Sequence, residues 1–123
     1  MSRVVAVIGA SSDRRKFGNK AVRAFTKCGY QVIPINLHEP VIEDLPAYRS
    51  VLDYDGPIDL ASLYLVPTIG LSVLDEVASK GIHEVWLNPG AHSPVLVERA
   101  VALGITPIVT CSIIRLGESP ADY

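Results

Sequence analysis

The chain has little that would tie it to a membrane, a metal, a nucleic acid or an oxidising compartment. Only two of its 123 residues are cysteine, Cys28 and Cys111. They stand far apart, outside any CxxC or His-rich spacing, so neither a disulfide framework nor a zinc site is expected and free thiols in a reducing compartment fit best. No apolar run approaches the roughly 18 residues that span a bilayer, and the start Met-Ser-Arg lacks an apolar leader with a small-residue cleavage site. A cytoplasmic protein with no membrane association is the expectation. Charge of one sign is also scarce: the formal net charge is -2 and the pI about 5.8. A general nucleic-acid binder would carry a large basic surface instead. Aromatic residues make up 7%. What remains is a chain 49% apolar, of a length that suits one domain, residues 1–123, around one buried core.

Local positive charge is concentrated in Arg14-Arg15-Lys16, close behind the most informative stretch. Val4-Val5-Ala6-Val7-Ile8 is a short β-branched run that stops at Gly9, and Ala10-Ser11-Ser12 leads from it to a helical pattern. A strand feeding a glycine turn and then a helix is the context of a phosphate-binding loop, where turn amides and the helix dipole favour an anion. The turn is not G-x-G-x-x-G, however, because Ser11 stands where the second glycine would let the backbone approach a pyrophosphate. The acidic residue that usually meets an NAD ribose at the end of the second strand is replaced by Asn36. Both departures count against NAD. A bland alternative stays open, in which Gly9 to Ser12 is only a tight turn and the three cations are a solvated face.

Downstream, Ala21, Val22, Phe25 and Cys28 recur at helical spacing over residues 18–27, with Gly29 as the C-terminal stop. Residues 30–36 read as a second strand. Residues 37–57 carry prolines and scattered acids and predict an irregular connection with at most one short helical turn. Residues 58–66 form a nearly continuous apolar run, as in strands buried on both faces of a parallel sheet. Pro67-Thr68 opens a helix whose inward stripe is predicted as Ile69, Val73, Leu74 and Val77. A fourth strand covers 84–87. Ser93-Pro94 is an N-cap followed by proline at the first helical position, and Leu96, Val97, Ala100 and Val101 supply that helix's apolar face. A fifth strand covers 106–109, and the tail 110–123 is expected to be less regular, holding one short helical turn before it frays. Alternating strands and helices predict an α/β, Rossmann-like, doubly wound parallel five-stranded sheet, with strand order 3-2-1-4-5. Ligands of such sheets bind at the carboxyl edge, here near Gly9 and Val66-Pro67.

Several segments together resemble one family. They are Val5-Ala6-Val7-Ile8-Gly9-Ala10-Ser11, Gly29-Tyr30-Gln31-Val32-Ile33-Pro34-Ile35-Asn36, Leu45-Pro46-Ala47-Tyr48, Ile58-Asp59-Leu60, Val66-Pro67 and Val85-Trp86-Leu87-Asn88-Pro89-Gly90. In order and spacing, from about Arg3 to Ile113, the chain looks like the small stand-alone CoA-binding proteins, similar to the N-terminal domain of the succinyl-CoA synthetase alpha subunit. The resemblance implies coenzyme A or an acyl-CoA as ligand. Its phosphates would lie at Gly9, Ala10, Ser11 and Ser12 with Arg14, Arg15 and Lys16. Asn36 and His38 would line the adenosine side, and Val66, Pro67 and Thr68 the opposite wall. The family commonly places Pro and a basic residue after its Asn; here Leu37 and His38 follow, and His38 supplies positive charge only when protonated.

The synthetase reaction needs a phosphorylated histidine outside the CoA-binding domain and a second subunit, so a non-catalytic binding module is the expectation. A homo-oligomer or a partner enzyme would be its assembly. Two other classes stay open: an NAD(P)- or nucleotide-sugar-dependent enzyme using the same turn, and a degenerate Rossmann-like interaction module. Cys111 reads as a small buried residue, Trp86 as core or a subunit contact, and no catalytic couple or metal set is read from the spacing of the carboxylates and histidines.

Overall fold

The structure is a computed structural model describing residues 2–123. Seven strands and four helices follow in the order β1 (Val4–Ile8), α1 (Phe17–Lys27), β2 (Gln31–Ile35), β3 (Val41–Ile42), β4 (Leu45–Pro46), β5 (Leu60–Leu63), α2 (Pro67–Ser79), β6 (Glu84–Leu87), α3 (Pro94–Ala102), β7 (Thr106–Val109) and α4 (Ser112–Arg115). Five of the strands form one parallel sheet, ordered β2-β1-β5-β6-β7. The predicted doubly wound α/β fold is present.

The strand order differs from expectation. In the order in which the five sheet strands occur, the sheet runs 2-1-3-4-5 and not 3-2-1-4-5. The third strand, β5, pairs with β1 through Ala6 and Ala61 and with β6 through Ala61 and Val85. All four of its residues are buried. The reason lies partly in β2. Proline has no amide hydrogen and belongs on edge strands, and Pro34 sits in β2 with its outward carbonyl accepting from Tyr48 N at 3.0 Å. The Tyr48 carbonyl in turn accepts from Asn36 N at 2.9 Å, which closes that edge to a further strand. Pro107 marks the other edge in the same way. Thr106 N and Thr110 N donate inward to His83 and Leu87, so the alternation of a strand turns the ring nitrogen of Pro107 outward.

Both faces of the sheet are covered. Val4, Ala6, Ile8, Ala61, Leu63, Val85 and Leu87 pack under α2 and α3 with Leu74, Val77, Leu96 and Ala100. Val5, Val7, Leu60 and Trp86 pack on the opposite side with Ala21, Val22, Phe25 and Ile113 of α1 and α4. This two-sided burial explains why β1 reads as an unbroken apolar run, and β5 as one interrupted only by Ser62, rather than as alternating strands. The capping predictions for α3 are realised, since Ser93 Oγ accepts from Leu96 N at 3.1 Å and Pro94 opens the helix.

Several local expectations are corrected. Cys28 is exposed, because the helix ends before it and Gly29 turns the chain with φ +88°. Ile69 and Val101 are 52% and 62% exposed; Gly70 takes the inward position at the start of α2, with the δ1 methyl of Leu96 packed against it. The third strand is shorter than 58–66. The connection 37–57 contains the hairpin β3-β4, turned by Glu43 and Asp44 at φ 49° and 62°, and a 3-10 turn at Val51–Asp53. In the tail, α4 and a final 3-10 turn at Pro120–Asp122 bring Tyr123 back onto the core, and its hydroxyl donates to Glu118 at 2.5 Å. Among the described residues no helix is long and apolar enough to cross a membrane.

Candidate functional site: a two-part cleft at the carboxyl edge of the sheet

The strand order brings the ends of β1, β2 and β5 side by side. Gly9 has φ +94°, and a Cβ there would lie 2.9 Å from the Tyr64 carbonyl oxygen. Glycine is therefore required by both backbone conformation and the proximity of β5. Gly9 N and Ala10 N both donate to Ile35 O at 3.2 Å, which fixes the start of the turn on β2. The remainder is held by its own side chains. Ser11 Oγ accepts from Asp13 N at 3.0 Å, and Asp13 Oδ1 accepts from Arg15 N at 3.0 Å.

Two further residues, not singled out from sequence, shape this turn. Gly18, the second residue of α1, lies against it; a Cβ at this position would stand 2.2 Å from Gly9 O. Asn19 is fully buried and donates from Nδ2 to Ser11 O at 2.9 Å while its Oδ1 accepts from Arg23 at 2.8 Å. A glycine and an asparagine together in the first turn of an amphipathic helix were the available signal.

The three cations differ in their engagements. Arg14 pairs with Glu43 at 3.4 Å and Arg15 with Asp13 at 3.0 Å. Arg15, through its side chain and then its amide, draws the Asp13 carboxyl down to about 2. Lys16 is in no ion pair among the described residues, and it lines the cleft. Asn36 works as a clamp: Nδ2 donates to Ala10 O at 2.9 Å, and Oδ1 accepts from His38 N at 2.7 Å and Glu39 N at 2.9 Å. That leads the chain beyond β2 across the mouth of the turn and sets the Glu39 carboxylate 3.0 Å from Ser12 N.

Two cavities meet here, sharing Gly9, Asn36, His38 and Leu65. The wider one, about 490 Å³, is walled by Ala10, Ser11, Lys16, Gly18, Glu39 and Tyr64. The other, about 260 Å³, is mostly apolar, formed by Ile8, Ile35, Leu37, Val51, Ile69 and Val73 with Arg49, Ser50 and Glu76 at its polar margin. The structure thus gathers Gly9, Ala10, Ser11, Lys16, Asn36 and His38 around one cleft. Ser12, Arg14 and Arg15 line neither cavity, but the Ser12 amide donates to Glu39, which lines the wider one. Val66, Pro67 and Thr68 form the cap and first residues of α2, and the wall on that side of the cleft is made by Leu65, Ile69 and Val73.

Beside the cleft, burial pushes the Tyr64 hydroxyl up to about 12, and the neighbouring Ser62 and Ser112 hydroxyls only partly oppose the shift. Those two serines are engaged with each other at 2.8 Å, and Tyr64 Oη has no hydrogen-bond partner among the described residues. Asn88 completes this buried group, donating to Ser62 Oγ at 3.1 Å and Leu63 O at 2.9 Å and accepting from Ser112 N at 2.7 Å. Cys111 is half-buried at the cap of α4. Trp86 is core, with its ring against Phe25 and the Arg115 guanidinium. Among the described residues no three His, Cys, Asp or Glu side chains converge as a metal site would require.

An open parallel α/β sheet with a glycine turn and a cleft at its carboxyl edge defines a Rossmann-like ligand-binding domain. Its family is specific: residues 3–117 match the CoA binding domain family, and the chain belongs to it. It is 33% identical over 84 residues to the alpha subunit of acetate–CoA ligase [ADP-forming] II of Pyrococcus furiosus, a match covering 68% of this chain and 18% of that protein. The acetate–CoA ligase [ADP-forming] of Methanocaldococcus jannaschii is 33% identical over 78 residues, 63% of this chain and 11% of that one. The chain thus matches less than a fifth of the length of these relatives. Among solved structures, a hypothetical protein from Pyrococcus horikoshii OT3 superposes with a TM-score of 0.85 at 21% identity, over 94% of this chain and 80% of that chain, which shows the fold. Acetyl-coenzyme A synthetase 1 of Ca. Korarchaeum cryptofilum superposes with a TM-score of 0.75 at 26% identity, over 85% of this chain and 25% of that one.

Proposed function

We propose that this chain binds coenzyme A or an acyl-CoA in the two-part cleft and performs no chemistry on it alone. The observation that carries the reading is the continuity of a wide, Lys16-bearing cavity at the glycine turn with an apolar cavity between β2 and α2. CoA has the matching division, an anionic pyrophosphate one ribose away from a flat adenine whose ring faces pack on apolar side chains. The phosphates are assigned to the turn from Gly9 to Lys16, where the Ser11 hydroxyl can donate and the Lys16 ammonium lines the wider cavity. The base is assigned to the apolar cavity, against Ile35, Leu37 and Ile69, with Ser50 and Glu76 at its margin. His38, between the two, faces the ribose end. Arg14 and Arg15, already paired, serve mainly to shape the turn.

The ligases and synthetase matched by this chain are much longer proteins, and binding alone is the role assigned to it. A partner enzyme that uses the held CoA, or a homo-oligomer, is consistent with this role. A thermal-shift series with CoA, acetyl-CoA, dephospho-CoA, NAD, NADP and ATP tests the reading. Selective binding to the folded state raises stability by about 2.7 kcal/mol at a hundredfold excess over Kd. The CoA species should raise Tm; no rise with any of them at millimolar concentration overturns the proposal, and a rise with NAD alone transfers the site to a nucleotide-dependent enzyme.

A further inference from the structure

Glu39 lines the wider cavity and occupies the backbone amide of Ser12 in the glycine turn. Its Oε2 accepts from Ser12 N at 3.0 Å and from Asn36 Nδ2 at 3.4 Å. The side chain lines the wider cavity together with Ser11 and Lys16. A backbone amide has one hydrogen to give, so an oxygen seated on Ser12 N excludes any other. Carboxylate and phosphate oxygens are chemically equivalent partners for such a donor. Ser12, through its hydroxyl and amide, and the nearby Lys16 also hold the Glu39 carboxyl below its ordinary value against partial desolvation, so the competing group is an anion at neutral pH.

We propose that Glu39 is an internal competitor for the anion site: it holds the Ser12 amide and the field of Lys16 in the free protein, and a phosphate-bearing ligand must displace it. The Glu39 backbone is already fixed by its own amide on Asn36 Oδ1, so displacement needs only rotation of the side chain. One consequence is selectivity by charge. A monoanion gains no more from the amide than Glu39 does, whereas a pyrophosphate brings further anionic oxygens to Lys16 and the remainder of the turn. This inference rests on reading the cleft as a CoA site, but its test separates the two. If Glu39 merely braced the turn, removing it would weaken binding; if it competes, removal strengthens binding.

The experiment is calorimetric titration of the full chain and its Glu39→Ala and Glu39→Gln variants with CoA and, separately, with inorganic pyrophosphate, with a thermal melt of each protein. Loss of one charged hydrogen bond from the free state should tighten binding about tenfold in Glu39→Ala. A smaller gain is expected in Glu39→Gln, whose amide oxygen is a weaker acceptor. Glu39→Gln keeps the side-chain size and carries the test if the alanine variant does not fold. Tighter pyrophosphate binding by the variants with no CoA binding by any protein upholds the competitor and overturns the CoA reading. Equal or weaker binding of CoA by the folded variants does the reverse. No binding of either probe to any protein overturns both.

Discussion

Gly18 and Gly9 are in backbone contact: a Cβ on Gly18 would stand 2.2 Å from the Gly9 carbonyl oxygen, with the Ala10 α-carbon 3.3 Å away. The neighbours are main chain and cannot rotate aside. Gly18→Ala must therefore move either α1 or the turn. Overpacking of this kind costs about 3 kcal/mol, or about 10 °C in Tm. A thermal melt checks it, and CoA binding should fall with it, since the displaced element is the turn itself.

The engagement of the three cations ranks them. Lys16→Ala should weaken CoA binding about tenfold, because it removes the charge left without an ion-pair partner at the cleft. Arg15→Ala should change affinity less than about threefold, since its guanidinium is engaged by Asp13 and is largely exposed. Neither change should alter stability by more than about 0.5 kcal/mol. Titration of each single variant with CoA, followed by a melt, checks the order.

Acid should loosen the turn late. The Asp13 carboxyl is lowered from 3.8 to about 2, so the stabilisation it contributes is complete above about 4 and is lost as pH falls through 2. The Arg15 amide, which donates to Asp13 Oδ1, should keep its chemical shift from neutrality to about pH 4 and move below it. An NMR titration that finds the midpoint near the ordinary aspartate value would show that the Asp13–Arg15 contact does not persist in solution.

Asn88 ties α4 to the sheet through buried bonds to Ser62, Leu63 and Ser112. Asn88→Ala leaves the Ser112 amide and the Leu63 carbonyl without this partner in a buried site. Denaturant unfolding should show a loss of about 3 kcal/mol.

Much of the fold is legible in the sequence because its parallel strands are buried on both faces and its helices carry ordinary stops. Val4–Ile8 reads as a strand without ambiguity, and Ser93-Pro94 announces α3. The strand order was encoded in a less obvious place: Pro34 and Pro107 are tolerated because their missing amide hydrogens face outward on edge strands. An order that puts the second strand inside the sheet conflicts with Pro34. The cleft was legible in part. Gly9, Ser11, Lys16, Asn36 and His38 come together because they follow the ends of neighbouring strands. Glu39 could not be placed, since its contact with Ser12 spans 27 residues and depends on the Asn36 clamp and the β3-β4 hairpin. The loss of periodicity over 37–57 hid both the hairpin and the apolar cavity that Val51 helps to close.

The most direct test of the central claim is calorimetric titration of the full chain with CoA and, under the same conditions, with NAD. CoA should bind saturably, one per chain, at submillimolar concentration, weakened about tenfold by Lys16→Ala, with no comparable heat from NAD. Absence of saturable CoA binding at millimolar concentration, or equal binding of NAD, would contradict it.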